Sequence, residues 1–373
     1  MSERVQDYVV DYSVTKLEET ARTFRRLGEA YENASEPQKS GTGISKQLFL
    51  VADVLEECMT MYVHTEDGKK DFVRELTRKC FVNGIRIKNV QHLSKKNGRN
   101  AIVFQARTVG RSCVAAKKVV PVLTEVLRSG YYPDDSNRRI INEEYHQYIF
   151  IQEDRFKLLS GVARMNKGKS HFNGDNFLIS RLECGKAIAA IADGMGSGKR
   201  AYIESRMVIE LMENCIDAGF DEKASIDLIN SAYIAGGGTG NPVTMDMSVI
   251  DCSRVYALYE AGCGIHIYQA GQVVEIIQST TLPMGVLEQV DYDCTTKKLY
   301  DGDYIVMVSD GVLDNIPCVN KEERMAQMIH ALTIREPSAM AEKLLEQSLA
   351  YNDMKASDDC TVLVLGLFDT YEK

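Results

Sequence analysis

From about residue 155 the chain consists of short apolar runs interrupted by helices that come in pairs. The strand-like runs are 158–164, 177–182, 187–192, 248–250, 255–261, 265–268, 304–309 and 362–367. Helical periodicity covers about 199–218, 221–233, 321–333 and 337–350. Two long helices separate the early strands from the middle ones, and two more separate the last two strands. Blocks of strands and blocks of helices exclude a simple alternating parallel sheet. The pattern predicts an α+β fold, a sandwich of antiparallel sheets flanked by helix pairs. With 45% hydrophobic and 26% charged residues, the 373-residue chain has enough apolar content for a large core. Its length predicts two or three domains.

Acidic residues sit at the ends of these strands. Asn173-Gly174-Asp175-Asn176 precedes one strand, and Asp193-Gly194-Met195-Gly196 follows another. Ser309-Asp310-Gly311 follows a third, and Ser357-Asp358-Asp359-Cys360-Thr361 precedes the last. A lone Asp-Gly is more often a turn than a ligand. Four such junctions are harder to dismiss, because strand ends hold carboxylates rigidly on a common rim. Glycine beside them lets the backbone approach an ion and offer its carbonyl. Hard cations such as Mg²⁺ and Mn²⁺ favour such oxygens.

Other motifs fail. A phosphate-binding loop ending at Gly198-Lys199 would need glycine at 193 and serine or threonine at 200, where Asp193 and Arg200 stand. The run Gly236-Gly237-Gly238-Thr239-Gly240 fits no dinucleotide register and reads as a flexible loop. The six histidines fall outside any nucleophile motif; His266 reads as a packed strand residue and Cys263 as structural. The ten cysteines form no Cys-x-x-Cys pair and read as reduced thiols acting as small apolar residues. A net charge of −9 argues against general nucleic-acid binding and fits badly with wholesale adsorption to anionic lipid. No run reaches the roughly 20 apolar residues of a membrane span, and Met1-Ser2-Glu3-Arg4 opens no signal peptide, so a cytoplasmic location is expected.

Upstream, residues 1–34 read as one amphipathic helix and 33–44 as a loop. A second helix, capped by Ser45, runs to about Val63. These helices suit a homodimer contact or packing on the neighbouring domain. Residues 64–150 read as a small α+β module with helices at 69–80 and 115–127 and strands at 85–93, 101–108 and 144–151. No catalytic set assembles there. The expected division is 1–63, 64–152 and 153–373.

The ordered motifs Gly174-Asp175-Asn176, Ala192-Asp193-Gly194-Met195-Gly196-Ser197-Gly198, Thr244-Met245-Asp246-Met247-Ser248, Leu282-Pro283-Met284-Gly285, Ser309-Asp310-Gly311 and Asp358-Asp359-Cys360-Thr361-Val362 resemble those of the PPM (PP2C-type) metal-dependent serine/threonine protein phosphatases. Within these, the Asp-Gly-Met-Gly form and the helix after it resemble the stage II sporulation protein E branch. The resemblance covers about 155–373 and implies a PP2C-like β-sandwich with two Mn²⁺ or Mg²⁺ ions. It implies that Asp193 bridges both ions with the Gly194 carbonyl on one, that Asp310 and Asp358 hold the other, and that Asp175 holds the second through water. Asp358 is preferred to Asp359 because it lies three residues before Thr361, as in the family's Asp-x-x-Thr. Asp193 and Asp310 are the expected catalytic pair. The family's Gly-Ser/Ala-x-Pro element stands here as Gly262-Cys263-Gly264-Ile265. Two divalent ions would neutralise a phosphomonoester and lower the pKa of a water, with no covalent enzyme intermediate. The implied substrate is a phosphoprotein of the anti-sigma-factor antagonist type, whose dephosphorylation releases a sigma factor. A catalytically silent scaffold and another dinuclear-metal phosphohydrolase are the alternatives.

Overall fold

The computed structural model describes residues 16–30, 41–60, 63–64, 70–94, 99–110, 112–154, 156–168, 170–182, 185–218, 220–235, 242–252, 255–261, 265–270, 273–278, 282–287, 293–298 and 300–369. The chain forms two compact units, one of residues 1–27, 51–155 and 183–185, the other of 28–50, 156–182 and 186–373.

The elements begin with helix α1 (16–30), α2 (Gly41–Thr60), β1 (Val63–His64), α3 (Lys70–Val82), β2 (Ile85–Ser94) and β3 (Ala101–Thr108). They continue with β4 (Val114–Ala115), α4 (Val120–Leu127), β5 (Tyr131–Pro133), β6 (Ile140–Ile141) and β7 (His146–Gln152). In the first unit a five-stranded antiparallel sheet runs β1-β2-β3-β7-β5. Alternation along β2 and β3 buries Ile85, Ile87, Ile102, Phe104 and Ala106 with Leu76 and Cys80 of α3 and Leu123 of α4. Phe104 and Phe150 stack across adjacent strands with ring centroids 5.4 Å apart.

Two sequence expectations shift here. Helix α2 starts at Gly41 and ends before Val63, and Ser45 lies inside it, 2% exposed. Past Pro37 no residue is sterically barred from a helix, and the glycines cost it only about 1 kcal/mol each. Val63 instead pairs with Ser94 as a strand. The expected helix at 115–127 is a 3₁₀ turn, Ala116–Val119, followed by α4, whose Pro121 sits in the first turn where no donor is needed. Residues 1–15 and 31–34 of the expected first helix, and the glycine run 236–240, lie outside the described residues.

The second unit holds β8 (Phe156–Met165), β9 (Asp175–Arg181), β10 (Lys186–Gly194), α5 (Lys199–Asp217), α6 (Glu222–Ala235), β11 (Val243–Asp251), β12 (Val255–Ala261), β13 (Ile265–Ala270), β14 (Val273–Gln278) and β15 (Asp293–Lys298). It ends with β16 (Tyr304–Val308), α7 (Asp310–Asp314), α8 (Lys321–Ala331), α9 (Pro337–Leu349) and β17 (Cys360–Asp369). One antiparallel sheet runs β15-β12-β11-β10-β9 and the other β14-β13-β16-β17-β8. Alternate residues of β10, β16 and β17 meet between the sheets: Ala187, Ala189 and Ile191 with Ile305, Met307, Leu363, Leu365 and Leu367. The opposite faces bury Ile188, Ala190 and Ala192 under Val208, Ile209 and Met212 of α5, and Val306, Val308, Val362 and Val364 under Met325, Leu344 and Leu345 of α8 and α9. Four layers result, helices–sheet–sheet–helices. Strands covered on both faces read as continuous apolar runs, which is why the sequence exposes them. This is the expected α+β sandwich with flanking helix pairs.

Strands β14 and β15 are not anticipated by the sequence. Both are sheet edges; β15 reads DCTTKK and carries no apolar run, whereas β14 reads VVEIIQ and packs Val274 and Ile276 on the core. The cysteines also split: Cys80, Cys215, Cys252 and Cys360 are buried, as small apolar residues should be, whereas Cys113, Cys294 and Cys318 are exposed. Cys58, Cys184, Cys263 and the His266 side chain lie outside what is described. No described helix is long and apolar enough to cross a membrane.

Candidate active site

Strands β9 and β10 pair in register, so Asp175, first in β9, faces Asp193, the last residue but one of β10. On the other side Asp193 faces Thr244 of β11. Asp175 is 1% exposed, and neither of its carboxylate oxygens has a hydrogen-bond partner. Leaving such a group buried and unpaired costs stability. The Asp175 main chain, by contrast, is tied down: its N–H donates to Asn173 Oδ1 at 3.0 Å, and its carbonyl accepts from the Arg164 guanidinium of β8.

The second pair of acids comes from the other sheet. Ser309, extended after β16, donates its N–H to the Thr361 carbonyl at 3.0 Å, and its Oγ accepts from Thr361 N at 2.9 Å. This stitch joins the exit of β16 to the entry of β17. It places Asp310, which opens α7 at the exposed rim, near Asp358.

The carboxyls act on one another. Burial first, then the charges of Asp175, Asp310 and Asp358, push the Asp193 carboxyl up to about 9. Burial pushes Asp175 up to about 6, with Asp310 adding to the rise and the Thr361 and Ser309 hydroxyls opposing it. Asp310 is also raised, by burial first, then by Asp314 and Asp358, against a hydrogen bond from the Gly311 backbone. Asp175, Asp193, Asp310 and Asp358 therefore form one electrostatic cluster, as the sequence predicts.

Asp358 and Asp359 divide roles. Asp359 is 3% exposed and spends both oxygens on backbone donors, Oδ1 on Lys167 N and Oδ2 on Gly174 N, each at 2.8 Å. It pins the loop before β9 and has no oxygen to spare. Asp358 is half-buried, and its Oδ1 lies 3.3 Å from the Lys167 ammonium and accepts from Asp359 N.

The two Asp-Gly glycines are required for a reason other than turn formation. A Cβ on Gly194 would lie 2.3 Å from the Ala201 carbonyl oxygen of α5, and one on Gly311 would lie 2.0 Å from the Asp359 carbonyl oxygen. Neither has a positive φ; each is glycine because another backbone passes too close for a side chain. Arg164 and Lys167, which help to position the acids, escape sequence reasoning, and so do the positioning roles of Ser309 and Asp359 within their motifs. Only their neighbours in space mark them.

Among the described residues no three Asp, Glu, His or Cys side chains close into a ready coordination shell. The cluster is open. Its chemistry still suits a divalent cation: a buried carboxylate with two unpartnered oxygens lies among like charges. A cation would relieve desolvation and repulsion together.

Residues 184–368 match the family model described as "Stage II sporulation protein E (SpoIIE)". Stage II sporulation protein E of Bacillus subtilis (strain 168) is 28% identical over 286 residues, which are 76% of this chain and 34% of that protein. The protein of the same name from Priestia megaterium is 29% identical over 67% of this chain and 43% of its own length. The chain thus spans less than half the length of these relatives. Among solved structures, the PP2C phosphatase domain with a fragment of the regulatory domain of SpoIIE from B. subtilis superposes with a TM-score of 0.65 at 24% identity, covering 88% of this chain and 96% of that one. The four-layered fold is that of PP2C phosphatases, and residues 184–368 are similar to the stage II sporulation protein E family.

Proposed function

We propose that the second unit is a divalent-cation-dependent protein serine/threonine phosphatase acting on a phosphorylated anti-sigma-factor antagonist. The observation that carries this reading is the unpartnered, buried Asp175 carboxylate facing Asp193 within reach of Asp310 and Asp358. Similarity to this family supports the reaction class, and a regulatory phosphoprotein is the substrate that such a family suggests. Asp193, the Gly194 carbonyl, Asp310, Asp358 and Asp175 would hold two Mn²⁺ or Mg²⁺ ions. When bound, such ions supply positive charge to the phosphoryl oxygens and acidify water.

The chain's own residues keep this set in place. The β9–β10 register fixes Asp175 opposite Asp193. The Ser309–Thr361 stitch fixes Asp310. Asp359 clamps the loop of Gly174 against β17 and leaves Asp358 turned to the cluster. No activated serine or cysteine is needed. Residues 1–152 are proposed as a regulatory portion, with 1–63 as a homodimer contact, and the protein is proposed to work in the cytoplasm.

The test is release of phosphate from a phosphoserine peptide, and from a phosphorylated antagonist protein, with Mn²⁺, with Mg²⁺ and with excess chelator. Hydrolysis that needs the ion is expected. Full activity in chelator, or hydrolysis of a cyclic dinucleotide instead of the phosphopeptide, would overturn the proposal. Calorimetric titration of Mn²⁺ into the Asp193→Asn variant separates loss of ion binding from loss of substrate binding.

A further inference from the structure

Averaged over the chain the charge is −9, but the first unit departs from the average. Residues 76–133 contain 12 Lys and Arg and one acid, Glu125, so 12 − 1 = +11. Glu125 is already engaged, 2.7 Å from the Lys79 ammonium. Three of these cations, Arg86, Lys88 and Arg107, stand on the solvent face of the β1-β2-β3-β7-β5 sheet. While Ile85 and Ile87 point into the core, Arg86 and Lys88 point out. Arg86 and Arg107 are direct cross-strand partners, and like charges so placed destabilise a sheet. The Tyr145 ring lies between cations, 4.2 Å from the Lys88 ammonium and 5.1 Å from the Arg107 guanidinium. None of Arg86, Lys88 and Arg107 forms an ion pair with a carboxylate among the described residues.

Beside this face lies an apolar corner. Phe81, Val82 and Val109 are 51%, 76% and 42% exposed. Backbone bonds hold them together: Gly84 N donates to the Phe81 carbonyl at 3.0 Å, and Val109 N to the Gly84 carbonyl at 2.8 Å. The Arg86 guanidinium sits 5.9 Å from the Phe81 ring centre, so cation and apolar tips share one edge. In the second unit Met195, Ile203 and Met207 are exposed as well, with no charge pattern beside them to name an occupant.

We propose that this basic face and its apolar corner dock the protein on an anionic phospholipid surface. Three observations favour a bilayer over other anions. The three cations form no ion pair with a carboxylate among the described residues and are held on one sheet face against the Phe81 and Tyr145 rings, which suits a diffuse plane of phosphates. The protruding side chains include two valines, which gain by entering an acyl boundary and nothing by meeting a phosphate. The Arg86 guanidinium lies 5.9 Å from the Phe81 ring centre, so a cation and an apolar tip would meet the headgroup–acyl boundary together. The negative charge elsewhere in the chain does not forbid docking, because charges farther than a Debye length of about 10 Å from the surface are largely screened.

The chain has no tryptophan, so Phe81→Trp gives the full-length protein a single reporter at the proposed contact. Vesicles of 30% phosphatidylglycerol in phosphatidylcholine should shift its emission to the blue, 0.5 M NaCl should reverse the shift, and pure phosphatidylcholine should produce none. In co-sedimentation, Arg86→Gln/Lys88→Gln/Arg107→Gln should partition about 100-fold more weakly, at roughly fivefold per charge. Val82→Ser should weaken binding without changing its salt dependence. Gln keeps most of each stem, at the exposed Arg86 and Lys88 and at the half-buried Arg107, and an unchanged melting temperature confirms the fold. Equal binding to neutral vesicles, or no reporter shift, overturns the proposal. So does displacement from lipid by a single-stranded oligonucleotide, or self-association without vesicles that depends on the same three charges.

Discussion

The two units of this chain place their charge in opposite ways. In the first, among the described residues, Thr108 is the buried polar side chain, and lysine and arginine stand on the surface. The core cluster there is made of apolar and aromatic side chains. In the second unit Asp175, Glu204, Glu222, Asp246, Asp303 and Asp359 are all buried. Two of them make the contrast sharper. Asp359 is buried and satisfied by two backbone donors, which is an ordinary structural use. Asp175 is buried and unsatisfied. A fold optimised only for stability would not keep such a group, so the second unit carries a cost that the proposed cation would offset.

The largest test of this contrast is removal of charge at the cluster. Asp193→Asn and Asp310→Asn should each lower phosphatase turnover by more than the roughly 10–100-fold typical of losing a residue that merely orients a metal ligand. In the ion-free protein neither should lower the melting temperature, since each relieves repulsion. A large loss of ion-free stability in Asp193→Asn would mean that its carboxylate is structural and that the two units differ less than proposed.

Glycines give the next effect. Gly194→Ala and Gly311→Ala force a Cβ to within 2.3 and 2.0 Å of backbone oxygens that no rotamer change can move. A cost at or above the usual 1–3 kcal/mol of overpacking is expected. Gly110→Ala in the first unit meets no atom within 4 Å and is strained only by its φ of +93°, so about 1–2 kcal/mol is expected there. Thermal melts rank the three, and a Gly110 variant as damaging as the other two would remove the distinction.

The two neighbouring acids before β17 separate site from scaffold more finely. Asp358→Asn should weaken Mn²⁺ binding by calorimetry with little change in melting temperature. Asp359→Asn leaves one of two backbone donors without a carboxylate partner, so it should cost about 1–3 kcal/mol of stability and be far milder in turnover. The reverse order would exchange their roles.

Much of this was legible in the sequence, unevenly. Strands with both faces buried, such as β10 and β17, announce themselves as unbroken apolar runs, and the helix pairs by their period. Edge strand β15 does not, because DCTTKK carries no apolar run, whereas β14, VVEIIQ, has the apolar pattern of a strand and is not anticipated. The acids were legible because each stands beside a glycine at the end of a readable strand. What could not be read was why. The glycines answer to Ala201 and Asp359, residues brought close only by the folded sheets. Asp358 and Asp359 are chemically identical in sequence, and only their hydrogen bonds distinguish them. Arg164 lies 11 residues before Asp175, and their contact exists only because β8 enters the site from the other sheet.

The smallest effect, and the one that most directly separates the units, is the pH dependence of stability without divalent ions. In the folded chain burial holds Asp175 at about 6 and Asp193 at about 9. Unfolded, an aspartate titrates near 3.9. Both folded values lie above the unfolded one, so above about pH 4 the native state binds more protons than the unfolded state. Stability must then fall as pH rises, first through about 6 and further through about 9, where both carboxyls are forced to ionise in place. The half-buried Asp227, also raised by desolvation, acts in the same direction. Ion-free protein should therefore melt at a lower temperature at pH 8.5 than at pH 5.5. Saturating Mg²⁺ should raise the pH 8.5 value more than the pH 5.5 value, because a cation competes with protons for the same oxygens. Asp193→Asn should flatten the ion-free profile, whereas neutralising Arg86, Lys88 and Arg107 in the first unit should leave it unchanged. An ion-free melting temperature that rises between pH 5.5 and 8.5 would show that the cluster is already compensated from within, and the reason for a cation there would be lost.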